Sequence, residues 1–456
     1  MLRLELEFNR RAGLSAAAAG KERTYGEIRV KLALNVINIE NMRFGDRTEI
    51  QGRELVVDRE ELMQLLSEDQ RLERVELELA HPGESCRILQ IAEIIEPRAK
   101  IEGGGDFPGA ISPIAPAGMG KTCVLRGTAI TISDQSDAAE LAQAEDALGL
   151  ILDMSGPAAD IHLYGGLHHL VVIPHRAPGV SRDGYRVALK LAGLKAAAYL
   201  ARAGRELRPD RVESYELPPL AVPSESGNGL PRIAYIYMVH CTSYPAMPGE
   251  PILYGDNIRL LLPTIVHPNE ILDGAVVNPY DGIGTETYVI QNHPVISELY
   301  TRHGKTLSFA GVVLIVSRVT EPERERSAML AANAARYVLG ADGVILTKAS
   351  SGAPDIDIAQ TAQACEDLGM KAVLIVFDRS NKGEIGEVFD LPGARSIVTT
   401  ANQYEVLRLP AVERVIGKRV TLPSGQPCDG ELEKSFRFIR GGLDQVGITR
   451  IRSLRY

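Results

Sequence analysis

Carboxylate and hydroxyl side chains stand beside glycine and proline turns at two places in the first half of the chain. Glu102 opens the glycine-rich string EGGGDFPG (102–109), and Asp153 and Ser155 lie in LDMSGPAAD (152–160). A carboxylate is the group that would hold the ammonium of an amine or amino acid, and glycines let a backbone approach a ligand closely. The same residue types are equally suited to turns and helix caps. Glu102, Asp153 and Ser155 are therefore candidate substrate-binding residues, with a purely structural role as the alternative.

The string APAGMGKT (115–122) fits a loose phosphate-loop pattern. A phosphate loop follows a buried strand and opens a helix, because backbone N–H groups and the helix dipole must meet the phosphates. Here Pro113 and Pro116 interrupt the segment before it, and the alternating CVLRGTAITIS (123–133) after it is typical of strands. We therefore predict a turn before a β-hairpin at this place rather than a nucleotide site.

The cysteines and histidines show no spacing that is typical of metal sites or disulfide frameworks. The nine histidines do not cluster, and no two of the five cysteines form a CxxC pair. Reduced thiols and no metal site are the simplest prediction. The cysteines are Cys86, Cys123, Cys241, Cys365 and Cys428.

Composition excludes several classes of function. Among 456 residues, 50 Lys and Arg stand against 59 Asp and Glu, and the net charge of −9 argues against binding a phosphate backbone. The longest apolar run, FAGVVLIV (309–316), is far shorter than the ~20 residues of a membrane helix. The sequence therefore predicts a soluble cytoplasmic protein with two or three domains, and neither nucleic acid nor membrane as a partner.

The elements that must position these residues change character along the chain. Short alternating runs such as RVELELA (74–80) and TAITIS (128–133) make residues 30 to 135 β-rich, with one amphipathic helix at 58–72. A helix is predicted over 185–204. In the last third, apolar strands alternate with helices, which indicates a parallel sheet covered on both faces. These strands are predicted at 309–319, 343–349, 371–378 and 395–401.

The predicted fold class is α/β, with a β-rich amino-terminal part and a carboxy-terminal three-layer α/β domain that has a mainly parallel sheet. The predicted divisions are an extension (1–28), a β-rich domain (29–150), an α/β middle region (151–296) and a Rossmann-like α/β domain (297–456). Ligands of parallel sheets bind at the carboxyl ends of the strands. That rule places one set of residues on a common rim: Ser317 and residues 348–354, 378–381 and 399–402.

Blocks spread over residues 29 to 456 resemble one known family. They include IEPRAKIEGGGDFPGAIS (95–112), LLPTIVHPNEILDGAV (261–276), ELYTRHGKTLSFAGVVL (298–314) and GADGVILTKASSGAPDID (340–357). In this order they resemble the proprotein of component B of the glycine, sarcosine and betaine reductases, with the D-proline reductase proprotein as a more distant relative. The resemblance implies a cytoplasmic hetero-oligomer of anaerobic amino-acid metabolism.

The resemblance also implies a processing step whose residue this chain lacks. In the family, an internal cysteine within the stretch that corresponds to 271–296 is the site of self-cleavage and leaves a pyruvoyl cofactor. Here ILDGAVVNPYDGIGTETYVIQNHPVI contains neither cysteine nor serine. Elimination from Thr285 or Thr287 would leave a 2-oxobutanoyl group instead. We therefore expect an uncleaved chain without a pyruvoyl group or another cofactor.

The segment YDGIGTETY (280–288) takes the place of the cleavage site, so a small-molecule site is expected there. Tyr280, Asp281 and Glu286 are the candidate catalytic residues, and LDMSGPAAD would form the second wall. The alternative is that Gly282 and Gly284 only close a loop that other members cut.

Two functions remain open on the sequence. The chain is either a subunit of a component-B-like reductase that cleaves the C–N bond of a small amine or amino acid, or a non-catalytic scaffold. A quaternary ammonium substrate such as betaine cannot form an imine, so cleavage without a carbonyl cofactor is chemically conceivable. In both cases the expected partner is a subunit that contains selenocysteine or cysteine.

Overall fold

The computed structural model describes residues 30–136, 150–220, 229–241, 261–278, 285–317, 321–349, 352–378, 396–418, 426–443 and 445–448. The strands in these stretches are β1 (Val30–Asn38), β2 (Asn41–Gly45), β3 (Glu49–Gln51), β4 (Glu54–Asp58), β5 (Leu72–Ala80), β6 (Cys86–Ile88), β7 (Ile91–Ile95), β8 (Arg98–Glu102), β9 (Gly120–Arg126), β10 (Thr128–Ser133), β11 (Leu152–Asp153), β12 (His168–Arg176), β13 (Arg211–Leu217), β14 (Arg232–Cys241), β15 (Thr264–Val266), β16 (Ser308–Ser317), β17 (Gly343–Thr347), β18 (Lys371–Asp378), β19 (Ile397–Asn402), β20 (Val406–Leu409), β21 (Arg414–Ile416) and β22 (Leu432–Ser435).

The α-helices of these stretches are α1 (Arg59–Ser67), α2 (Pro157–Asp160), α3 (Arg182–Arg202), α4 (Pro268–Leu272), α5 (Thr287–Gln291), α6 (Pro294–Arg302), α7 (Glu321–Asn333) and α8 (Ala353–Asp367). A π-helical turn, Ala334–Val338, continues α7. Among the described helices, none is long and apolar enough to cross a membrane.

The amino-terminal part contains two four-stranded sheets packed on one long helix. Their strand orders are β13-β1-β9-β8 and β5-β12-β10-β7. Helix α3 contacts strands of both sheets and buries a stripe of small residues at helical spacing, including Ala188, Ala192 and Ala196. Ser181 caps its first turn by accepting a hydrogen bond from the backbone N–H of Gly184 at 3.1 Å. Small side chains on this stripe let the helix lie close to both sheets.

The larger sheet has six strands in the order β15-β16-β14-β17-β18-β19. All pairings are parallel except that of β15 with β16. The five parallel strands, counted along the chain, follow the order 2-1-3-4-5, one of the two common orders of doubly wound sheets. Helices α7 and α8 cover one face, and the other face packs against α5, α6 and the amino-terminal strands. The predicted α/β class and the mainly parallel carboxy-terminal sheet are therefore confirmed.

The sequence analysis began the last domain at residue 297. A central strand of the sheet, β14, nevertheless comes from residues 232–241. Strand β14 lies between β16 and β17 and pairs with both. Because β14 precedes the 271–296 stretch and its two neighbours follow it, the halves of the chain on either side of that stretch share one hydrogen-bonded sheet.

Basic side chains of β8 hold both flanks of the 271–296 stretch. Lys100 forms a buried ion pair with Asp273. Arg98 donates to the carbonyl of Leu272 and, at 3.1 Å, to the carbonyl of Gln291. The two ends of the stretch are thus fixed to the same strand, independently of the residues between them.

The phosphate-loop-like string belongs to this anchor. Strand β9 starts at Gly120, within the string, and no helix begins there. The predicted β-hairpin is wrong, because β9 pairs with β1 and β8 whereas β10 pairs with β7 and β12. The N–H of Gly118 donates to Asp273 at 2.8 Å, and the Thr122 hydroxyl donates to the same carboxylate at 2.5 Å. Lys121 points to the surface and pairs with Glu102. A carboxylate of the chain itself therefore takes the place that a phosphate would have.

Cutting the chain within residues 279–284 should leave the two fragments associated. The reason is that the first fragment contributes β14 to the middle of a sheet whose other parallel strands belong to the second. The measurement replaces 279–284 with a protease recognition sequence and compares denaturing electrophoresis with size-exclusion chromatography after digestion. We expect two bands but one native species, and separate elution of the fragments would contradict the shared sheet.

Candidate functional site

The predicted substrate-binding residues occupy three different surroundings. Glu102, at the end of β8, is exposed and forms an ion pair with Lys121 at 2.9 Å, which lowers the pKa of its carboxyl. Ser155 lies in the wall of an open cleft of about 590 Å³. Asp153 is completely buried beside Arg87. The structure does not bring these three side chains together, and their proposed role in substrate binding stays a prediction.

Asp153 and Arg87 form a fully hydrogen-bonded buried pair. Arg87 Nε and one terminal nitrogen donate to the two carboxylate oxygens of Asp153 at 2.7 and 2.9 Å. The remaining donors bind the carbonyls of Pro410, Cys428 and Gly430. Burial raises the pKa of Asp153, and the guanidinium acts in the opposite direction. Through these carbonyls the pair fastens Pro410, Cys428 and Gly430 to the amino-terminal part.

The cleft beside Ser155 is lined mainly by small and apolar residues. Met154, Gly156, Gly166 and Ile448 contribute to its wall, and His162 is among its few polar residues. The ring of His162 packs against that of Tyr164 with 3.9 Å between centroids. Residues of LDMSGPAAD therefore do line a concave surface.

Glu286 is the residue that directly precedes α5 and occupies its N-cap position. Its carboxylate is 3.1 Å from Nε of Arg440, and both side chains are buried. Arg440 also donates to the carbonyl of Ala92 at 2.7 Å. Tyr280 and Asp281, the other two candidate catalytic residues, lie outside the described residues. Of the predicted catalytic set, Glu286 alone can be located among the described residues.

Glu93, on β7, is a second carboxyl group in the same place. It accepts hydrogen bonds from the N–H and the hydroxyl of Thr287 at 2.9 and 3.0 Å and from the N–H of Ile94 at 2.8 Å. Burial raises the pKa of Glu93 to about 8, Arg440 lowers it, and Glu286 raises it further. Glu93 is therefore mostly protonated at neutral pH.

The Tyr164 hydroxyl has no hydrogen-bond partner among the described residues, whereas the hydroxyls of Tyr237 and Thr285 lie within hydrogen-bond reach of each other. Burial keeps the pKa of both tyrosines well above the ordinary value, so they stay protonated, and the charge of Glu286 raises it further. We call Glu93, Tyr164, Tyr237, Thr285, Glu286 and Arg440 the buried polar cluster.

Sequence reasoning missed most of this cluster. Glu93 left a signal, since it is an acid inside the apolar run ILQIAEII (88–95), and such a residue needs a buried partner. Tyr237 left a weaker one, because it and Tyr235 alternate on one face of IAYIYMV (233–239). Arg440 left none, because only folding brings it within reach of Glu286.

The predicted rim at the carboxyl ends of the parallel strands is present. Ser317 ends β16, Asp378 ends β18, and Asn402 ends β19. Ser317 bonds to Asp357 at 2.6 Å, and Lys348 forms a buried ion pair with Asp355. The described acids of this rim are thus engaged with side chains of the chain itself. Residues 350, 351 and 379–381 lie outside the described part.

The described cysteines are buried free thiols. Burial raises the pKa of Cys86, Cys123 and Cys365 to about 12, so their thiolates are scarce at neutral pH. The side chain of Cys241 lies outside the described residues. In the described stretches, no three His, Cys, Asp or Glu side chains are grouped as metal ligands would be.

Sequence comparisons agree on one family. Residues 30–435 match the profile described as glycine/sarcosine/betaine reductase component B subunits. The chain is 31% identical over 442 residues to the glycine reductase complex component B subunits alpha and beta of Acetoanaerobium sticklandii, covering 94% of this chain and 100% of that relative. No solved structure matches at a significant level.

Two further relatives come from Peptoclostridium acidaminophilum. The sarcosine reductase complex component B subunit alpha is 32% identical over 396 residues, covering 85% of this chain and 89% of the relative. The betaine reductase complex component B subunit alpha is 29% identical over 399 residues, covering 85% and 88%. The resemblance inferred from sequence blocks is confirmed, and the loss of the processing cysteine stays a prediction.

Replacing Glu93 with Gln should make the free energy of unfolding depend less on pH. Burial raises the pKa of Glu93 from 4.5 to about 8, so unfolding releases its proton between these values. The stabilising contribution is therefore complete below the lower value and is lost as pH rises through the upper one. Glutamine keeps the oxygen that accepts from the N–H groups of Thr287 and Ile94, and its amide nitrogen can donate to the Thr287 hydroxyl, without titrating.

The measurement compares thermal unfolding of the wild type and Glu93→Gln at about pH 5 and about pH 9. We expect the unfolding temperature of the variant to rise relative to that of the wild type as the pH rises. Buried histidines affect both proteins equally and cancel in the difference. A constant difference across this range would contradict the raised pKa.

Proposed function

Because the chain belongs to the family of component B subunits of glycine, sarcosine and betaine reductases, we propose that it acts in reductive C–N cleavage of a small amine or amino acid. The observation that carries this proposal is the match over residues 30–435, together with near full-length similarity to all three kinds of reductase subunit. A place in a reductase complex follows from the family. What we propose beyond that is the reaction that this chain takes part in and the class of its substrate.

We propose further that the chain works without a pyruvoyl group. The 271–296 stretch has no cysteine or serine from which that group is formed. Thr287 is a poor substitute, because its hydroxyl is buried, donates to Glu93 and accepts from the N–H of Asn278 at 3.0 Å. The residues present in this stretch therefore do not fit the formation of a pyruvoyl group.

A partner subunit would supply the nucleophile. Three of the four described cysteines have thiol pKa values near 12, raised by burial, so they are poor nucleophiles at neutral pH. A partner that carries selenocysteine or cysteine is the chemically reasonable source. In this proposal Glu286, with Tyr280 and Asp281 from the neighbouring segment, provides polar groups for the substrate.

A scaffold without catalytic function is the second candidate. It is favoured by the anchoring of both flanks of the 271–296 stretch on β8, since those contacts support the fold whether or not a reaction takes place nearby. In that case the chain would only position the partner that carries the reactive chalcogen. Turnover by the assembled complex separates the two candidates.

The purified chain should remain intact. Since no residue in 271–296 can generate the processed amino terminus, intact mass spectrometry should show one species at about 49.5 kDa. Two fragments, or a mass change that maps to Thr285 or Thr287, would contradict the absence of processing.

Substitution of the acids beside the processing segment should impair turnover. The chain is purified together with its partner subunits, and amine release from glycine, sarcosine and betaine is measured. We expect Glu286→Gln and Asp281→Asn to lower kcat/KM by about a hundredfold, as loss of a positioned acid or base does. Glu298→Gln is the matched control, because Glu298 is exposed on α6 and pairs only with Arg302 in the described contacts. A turnover rate that neither substitution changes would favour the scaffold.

A further inference from the structure

The first backbone N–H of helix α5 finds its acceptor on a distant strand. The first N–H groups of a helix have no acceptor within the helix. Glu286 occupies the N-cap position, but its side chain forms no hydrogen bond with the helix start. The N–H of Thr287 donates to Glu93 on β7, at 2.9 Å. The carboxylate of Glu286 is therefore left for another partner.

That partner is Arg440. Its Nε is 3.1 Å from Oε1 of Glu286, and both side chains are buried. Thr287 is the next residue along the chain, so the bond from its N–H to Glu93 fixes the backbone from which the Glu286 side chain extends. The direction of the Glu286 carboxylate hence depends on a carboxyl group of β7.

The hydroxyl of Thr287 extends the same contact to the other side of residues 279–284. It donates to Glu93 at 3.0 Å and accepts from the N–H of Asn278 at 3.0 Å. Glu93 and Thr287 are completely buried, and Asn278 is 3% exposed. Buried bonds of this kind are costly to leave unmade. We call the hydrogen-bonded chain of Asn278, Thr287 and Glu93 the clamp.

The clamp is attached to a paired strand, and the far end of α5 is attached to the same region. Glu93 pairs with Ile132 in the ladder between β7 and β10. The N–H of Glu96, the residue that follows β7, donates to the side-chain oxygen of Gln291 at 3.0 Å. Gln291, the last residue of α5, donates in return to the carbonyl of Glu96 at 3.3 Å. Both ends of α5 are therefore held by residues 93–96.

We infer that Glu93 is a positioning residue, which holds Thr287 and Asn278 so that the carboxylate of Glu286 faces Arg440 in the candidate site. Glu93 acts through Thr287 and does not touch a substrate. The clamp itself rests on the contacts alone. Its consequence for turnover rests on the proposed function.

Ionisation of Glu93 should disturb this arrangement. The charged and titratable groups that interact with it are Arg440, Glu286 and Tyr164. Burial raises the pKa of Glu93 to about 8, so at neutral pH it adds no full negative charge near Glu286. As the pH rises through this value, a second carboxylate competes for Arg440. Glutamine at position 93 removes this alkaline effect, because it does not titrate.

Hydrogen exchange on the full chain, followed by mass spectrometry, tests the clamp without a substrate. Thr287→Val keeps the shape of the side chain and removes the hydroxyl, whereas Thr287→Ser keeps the hydroxyl. We expect Thr287→Val to raise the exchange rate of the amides in 285–291 about tenfold, the typical effect of losing one buried hydrogen bond. Glu93→Leu, which removes both acceptor oxygens, should raise it at least as much. Thr287→Ser should exchange like the wild type.

Thr128→Val is the matched control. Thr128 is completely buried, and its hydroxyl donates to the carbonyl of Leu125 at 3.0 Å, where β9 leads into β10. This variant loses a buried hydroxyl bond as Thr287→Val does, so its unfolding temperature should also fall. It should leave both hydrogen exchange in 285–291 and amine release by the complex unchanged.

Turnover by the assembled complex tests the consequence for the site. The kcat/KM for amine release should fall about a hundredfold in Thr287→Val, as misplacing a site group by about 1 Å does. Thr287→Ser should keep most of it. For Glu93→Gln, the ratio of its kcat/KM to that of the wild type should rise as the pH passes about 8. A merely structural role of Glu93 does not produce this pH dependence of turnover.

Each result decides one part of the inference. Exchange in 285–291 that neither Thr287→Val nor Glu93→Leu changes would overturn the clamp. Faster exchange with the kcat/KM of the wild type would overturn the positioning role. If the wild-type complex releases no amine from glycine, sarcosine or betaine, the proposed reaction is refuted, and hydrogen exchange alone decides the clamp.

Discussion

Buried charges in and just before β8 hold the two halves of this chain together. Arg98 donates to the carbonyl of Gln291, and Glu96 accepts a hydrogen bond from the side-chain amide of Asn292. Glu96 and Arg98 pair at 2.6 Å with almost no exposure, and Arg126 reaches the same carboxylate at 3.2 Å. Burial alone would raise the pKa of Glu96, but Arg126 and Arg98 outweigh it and keep this pKa below its ordinary value. Removing one member of such a network leaves an uncompensated buried charge, which typically costs about 3–5 kcal/mol.

Two carboxyl groups three residues apart, Glu93 on β7 and Glu96 between β7 and β8, are in opposite protonation states. Glu96 is surrounded by guanidinium groups and stays ionised. Glu93 receives hydrogen bonds from Thr287 and Ile94, and its nearby cation Arg440 is the ion-pair partner of Glu286. The first carboxylate accepts from Asn292 and so helps to join the halves. The second is mostly protonated at neutral pH and adds no full negative charge near Glu286.

The topology holds the 271–296 stretch in place from both of its flanks. Both flanks of the 271–296 stretch are bound by β8, and β14 is inserted between strands that follow the stretch. None of these contacts needs a particular residue at positions 279–284.

Local patterns in the sequence determined much of the fold. Continuous Val, Ile and Leu runs predicted β16, β17, β18 and β19 as parallel strands, because a strand buried on both faces has no polar side. Helix α3 was likewise visible, and family blocks identified the relationship. Helix spacing and strand alternation depend on neighbours within a few residues, so one sequence suffices to recognise them.

Only the tertiary structure decided the use of individual polar residues. Asp153 was a candidate ligand by its turn context, yet Arg87, 66 positions away, binds both of its oxygens. Glu286 was singled out from sequence, whereas its neighbours Glu93, Tyr164 and Arg440 come from distant segments and carry no common motif. The charge state of a carboxyl group depends on the dielectric and the charges within a few ångströms. Those surroundings are assembled by long-range packing, and no short stretch of sequence contains them.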